Sequence, residues 1–121
     1  ATVTALDVDY HLATVSFPGG DFSIAEQNLA VGESVRLRIL ARDVSLTLKH
    51  QTDTSILNII PVTVTALSEE NAAQNQAQVL VQLDAAGTPL LARVTRKSAD
   101  ALKLAPSKPV CAQVKSVALL G

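Results

Sequence analysis

Short runs in which apolar and polar residues alternate fill almost the whole chain, and turn-forming residues interrupt every one of them. That pattern restricts the fold to small antiparallel β structure. Thr2 to Val8, Leu12 to Phe17, Phe22 to Ala25, Val35 to Leu40 and Val44 to Leu48 read as strands. Ile59 to Leu67, Ala77 to Leu83, Leu90 to Thr95, Val110 to Lys115 and Val117 to Leu120 read the same way further along. Pro18-Gly19-Gly20-Asp21 and Asp84-Ala85-Ala86-Gly87 supply hairpin chemistry, and Val31-Gly32-Glu33 turns the chain into the fourth run. Only Ser98 to Leu104 reads as a helix, with Ser98 as its N-cap, Asp100 in its first turn and Pro106 beyond its end. Ser68 to Gln78, rich in Glu, Asn and Gln, reads as a solvated loop tip.

The order of these runs repeats. Val-Thr-Ala-Leu stands at Val3 to Leu6 and again at Val64 to Leu67; Leu29 to Val35 lies against Leu104 to Val110, and Arg42 to Leu46 against Lys115 to Leu119. Two copies of a five-strand unit predict an all-β fold made of two small barrels with one short helix. The first unit is expected over residues 1–51 and the second over 52–121, with Gln51 to Ser55 as the joint. Cores of that size are too small to stand alone, so the units are expected to share strands or pack together, and to dimerise.

Composition removes several classes of function. Hydrophobic residues make up 48% of the chain and the net charge is only -1, which excludes disorder. No window approaches the roughly 18 apolar residues of a spanning helix. Acidic and basic residues are interspersed, and Tyr10, Phe17 and Phe22 are the only aromatic residues, so no nucleic-acid partner is expected. Cys111, the single cysteine, excludes an intrachain disulfide and reads as a small core residue in the apolar run Val110-Cys111-Ala112. His11 and His50 lack the company that a metal site or a Cys-His nucleophile requires, so no metal is expected. Glu69 and Glu70 are adjacent in a loop and point apart rather than forming an acid-base pair. With no phosphate-cradling glycine loop and no Ser-His-Asp arrangement, no catalytic residue is assigned and no enzymatic activity is expected. The chain shows no signal peptide, which makes the cytoplasm the default location, and it opens at Ala1 directly into a strand, so it reads as a piece of something longer.

The informative clusters carry hydroxyls, an amide and cations: Thr54-Ser55-Ile56-Leu57-Asn58, Arg93-Val94-Thr95-Arg96-Lys97-Ser98, and Lys115-Ser116. A small tetrahedral oxyanion only accepts hydrogen bonds, so its site must present donors free of competing acceptors, and these groups do so. A helix start at Ser98 adds exposed N–H donors. Each position also has a plainer reading: Ser98 as a helix cap, Thr95 as a β-branched strand residue, Lys115-Ser116 as a solvated strand end. The residues alone leave the function open.

The same clusters, with the flanking Leu91-Ala92-Arg93-Val94-Thr95-Arg96-Lys97-Ser98 and Gln113-Val114-Lys115-Ser116-Val117-Ala118-Leu119-Leu120, resemble the C-terminal region of the ATP-binding subunit of molybdate ABC transporters. That region carries the molybdate-binding Mop or TOBE domain, an OB-like barrel shared with small molbindins and a molybdate-responsive transcription factor. The stretch Val35 to Val44 is similar to the segment preceding the Mop unit there. The resemblance implies an oxyanion site of Ser55, Asn58, Thr95, Ser98, Lys115 and Ser116, taking molybdate or tungstate as ligand and no cofactor. Leu57 stands where the family's Ser-Ala-Arg-Asn motif has arginine, which removes one bidentate cation. Asp43 in the first half, where the second has Ser116, would repel an anion.

It further implies a regulatory domain that senses intracellular molybdate, with sites completed between the subunits of a homodimer. In the longer protein an ATPase domain and a membrane permease subunit are the implied partners, at the inner face of the plasma membrane. A dimerisation module with a decayed anion site and a stand-alone molybdate store are the alternatives.

Overall fold

A computed structural model describes residues 1–25, 28–69 and 77–120. Ten strands and one helix follow in order: β1 (Thr2–Asp7), β2 (Leu12–Phe17), β3 (Gly20–Ile24), β4 (Arg36–Arg38), β5 (Val44–Thr47), β6 (Asn58–Glu69), β7 (Gln78–Ala85), β8 (Thr88–Thr95), α1 (Arg96–Ala101), β9 (Pro109–Val114) and β10 (Ala118–Leu120), with a 3₁₀ turn at Ala41–Asp43. The fold is all-β, as the alternation predicts.

Hairpin chemistry acts where the sequence places it. Ala86 and Gly87, at φ 49 and 102, form the two-residue turn between β7 and β8, and the Asp84 carboxylate accepts the Gly87 N–H at 3.2 Å. Gly19, at φ 125, turns β2 into β3, and a Cβ there would collide with the Ala85 carbonyl oxygen. The two hairpin tips therefore touch, and the Thr88 hydroxyl donates to the Pro18 carbonyl.

The pairing reveals how the halves are joined. β5, β9, β6, β7 and β8 form one antiparallel sheet in that order. β1, β2 and β3 form a second, and β10 pairs with β4. Backbone bonds from Val3 N–H to the Glu33 carbonyl (2.9 Å) and from Val35 N–H to the Ala1 carbonyl (2.8 Å) bring the segment entering β4 alongside β1. The first half thus runs β10-β4-β1-β2-β3 and mirrors β5-β9-β6-β7-β8. Each half closes with the last strand of the other, β5 against β9 and β10 against β4. One apolar core spans both, with Val3, Val15 and Phe22 in the same cluster as Val64, Val81, Leu83 and Val114.

Three local expectations need correction. The helix begins two residues earlier, with Thr95 rather than Ser98 as its N-cap: β8 runs straight to Thr95, whose hydroxyl accepts the Ser98 N–H at 3.0 Å. At its other end Lys108 Nζ donates to the Leu102 and Lys103 carbonyls at 2.6 and 3.2 Å. Ser68 and Glu69 belong to β6, not to a loop, because the β6–β7 ladder continues through their pairing with Leu80 and Val79. The rest of that expected loop tip, residues 70–76, lies outside the described residues. Cys111 is half-buried; Val110 and Ala112 on either side take the core-facing positions of β9, and strand alternation turns Cys111 to the other face.

Candidate functional site

Strand register brings two of the three donor clusters together. Asn58 opens β6 and pairs with Val114, which ends β9. Ser55-Ile56-Leu57 and Lys115-Ser116 thus leave neighbouring strands at the same end of the sheet. Thr54 Oγ1 accepts the Ile56 N–H at 3.2 Å and curls the segment before β6. The Lys115 N–H is committed to the Asp43 carbonyl at 2.8 Å, so Lys115 offers a ligand its ammonium and not its amide.

These residues line an open pocket of about 630 Å³ together with Thr54, Val114 and Val117. Lys115 is the only charged side chain among the described residues of its lining, and Ser55, Lys115 and Ser116 are exposed. The far wall comes from the first half: Leu12, Ser23, Ile24 and Ala25. Sequence reasoning missed Leu12 and Ser23, since no donor cluster surrounds them and only the packing of the β1–β3 sheet against β6 brings them near. Asn58 spans the gap, its Oδ1 accepting the Ser23 N–H at 2.7 Å and its Nδ2 donating to the Ser23 carbonyl at 3.0 Å.

Thr95 and Ser98 do not join this lining. They are exposed at the end of β8, where the Thr95 hydroxyl donates to Ser98 Oγ at 2.9 Å while accepting the Ser98 N–H. Both hydrogen-bonding roles of Thr95 are taken, and the Ser98 hydroxyl hydrogen is left to point outward. One chain therefore carries two separate donor sets, one with a cation and one with hydroxyls. A larger, mostly apolar groove of about 730 Å³ between β4 and β8 is lined by none of the six predicted residues.

Residues 54–120, the segment that contains β6 to β10 and all six predicted site residues, match the family model described as the TOBE domain. The chain belongs to the TOBE domain family. Over 99% of its length it is 49% identical to the molybdenum import ATP-binding protein ModC of Albidiferax ferrireducens, of which it covers 31%. It is 47% identical over its whole length to ModC 1 of Azotobacter vinelandii, covering 33% of that protein. This TOBE chain spans about a third of the length of these curated relatives. Among solved structures it superposes on the cytoplasmic molybdate-binding protein ModG, crystallised with molybdate bound, with a TM-score of 0.74 and 25% identity over 98% of this chain and 90% of that one. The superposition agrees with the small barrels expected from the strand pattern and with their OB-like form, which the resemblance implies.

Proposed function

We propose that this TOBE chain binds molybdate or tungstate as the regulatory domain of a molybdate importer's ATP-binding subunit, at the cytoplasmic face of the membrane. The observation that carries the reading is the pocket at the ends of β6 and β9, where one ammonium, Lys115, stands among the hydroxyls of Ser55 and Ser116. A dianion whose oxygens only accept matches a lining of donors and one cation. The ModC relatives and the molybdate-bound ModG structure support the same ligand class.

In this reading Ser55, Asn58, Lys115 and Ser116 belong to one part of the site, and the Ser98 hydroxyl, held in place by Thr95, completes it from the second subunit of a homodimer. Their separation within one chain favours that arrangement. The chain acts as a ligand-binding module, with nucleotide hydrolysis and permease contact assigned to other parts of the longer protein. Regulation then requires molybdate to bind one arrangement of the transporter more tightly than another, since equal affinity shifts nothing.

Calorimetric titration of the chain with molybdate, beside sulfate, tests the reading: selective saturable binding with no more than one site per chain is expected. No heat at millimolar molybdate from folded dimer would favour a dimerisation module with a lost site. Leu57 lines the pocket and is 68% exposed. Leu57→Arg restores a cation and is expected to tighten binding about tenfold, the equivalent of one charged hydrogen bond. Unchanged affinity in that variant would place position 57 away from the ligand.

A further inference from the structure

Asn58 is predicted as a ligand, yet both ends of its carboxamide are engaged with one backbone residue on another sheet. Oδ1 accepts from Ser23 N–H at 2.7 Å and Nδ2 donates to Ser23 C=O at 3.0 Å. A carboxamide presents the same donor and acceptor as a peptide group, so the side chain pairs with β3 as a residue of a neighbouring strand would.

Such a substitute is needed here for a structural reason. β6 pairs with β7 only from Thr63 onward, so its opening segment, 58–62, has one edge without a ladder to β7. β3 lies against that segment so closely that a Cβ at Gly20 would come within 2.9 Å of Ile60 Cγ2. Pro61 has no N–H with which to extend a backbone ladder. The Asn58 clasp holds β3 in place instead, and β3 with its flank supplies Ser23, Ile24 and Ala25 to the pocket wall.

We propose that Asn58 is a positioning residue: by clasping the Ser23 backbone it docks the β1–β3 sheet against β6, and oxyanion affinity depends on that docking. The proposal rests on the oxyanion reading above. It also makes the coupling reciprocal, because a ligand that favours the docked wall must hold the wall more firmly when bound.

Two measurements on the full chain decide it: calorimetric titration with molybdate, and hydrogen exchange at the Ser23 amide with and without molybdate. Asn58→Ala is expected to weaken molybdate binding at least tenfold and to speed Ser23 exchange in the ligand-free protein. In the parent, saturating molybdate is expected to slow that exchange. Asn58→Gln, with its carboxamide displaced by one methylene, serves if the alanine variant does not fold and is expected to show both changes to a smaller degree. Unaltered affinity in the folded variants overturns the proposal. So does weakened affinity with unaltered Ser23 exchange, which would make Asn58 a direct ligand. A folded parent that gives no molybdate heat instead overturns the oxyanion reading and the ligand-linked part of this one; faster Ser23 exchange in the variant then still supports the clasp.

Discussion

Lys115→Ala is expected to lower the proposed molybdate affinity about 10- to 100-fold, the range for losing one hydrogen bond between charged groups, while leaving the fold intact. The effect is large because no second cation lines the pocket among the described residues: the remaining side-chain donors are hydroxyls and the amide of Asn58, which is engaged with Ser23. It is confined to binding because the Lys115 side chain is exposed and its structural role, the bond to the Asp43 carbonyl, belongs to the backbone and survives substitution. Lys115→Arg should keep the charge but exchange a compact ammonium for a planar fork, and retain part of the affinity. Titrations of the three proteins at equal ionic strength check this. Equal affinity of parent and Lys115→Ala would rule out the pocket as the anion site.

Phe22→Ala is expected to cost about 3–5 kcal/mol of folding stability, the usual penalty for emptying the space of a buried aromatic ring. Phe22 is 1% exposed and packs against Phe17 with ring centroids 4.8 Å apart. Phe22 belongs to a core cluster that contains buried residues of both halves, so the cavity opens in a core that the two share. Both halves should therefore lose stability together, in one shifted denaturation curve with an unchanged m-value. Two separated transitions, or a loss below about 1 kcal/mol, would contradict a single core.

Most of the strand order is legible in the alternation, since a half-buried strand must place apolar residues on one face and turns must carry glycine, proline or aspartate. The exchange of β5 and β10 is expected only in the general form of shared strands, because period-two patterning specifies which face is buried and not which neighbour is paired. Helix capping is misplaced because Thr95 and Ser98 are both capping residues three apart, and only the end of β8 decides between them. Ser68 and Glu69 read as loop from their polarity, while the backbone ladder of β6 with β7 continues through both. At the site, Ser55, Lys115 and Ser116 are recognisable by chemistry. The clasp of Asn58 on Ser23 is not, because it uses the backbone of a residue 35 positions away, and a backbone partner leaves no mark in sequence.

The crossed closure of the two halves also bears on molecularity. A chain ending after β5 would carry a last strand whose partner, β9, lies in the other repeat. Two such half-length chains with matching repeats would have to trade those strands by collision, and their folding would depend on how concentrated they are. Here a covalent connection places both repeats on one chain, and a flexible tether of that kind acts as a local concentration in the millimolar range. Dilution that would separate two interlocked half-chains leaves this one folded.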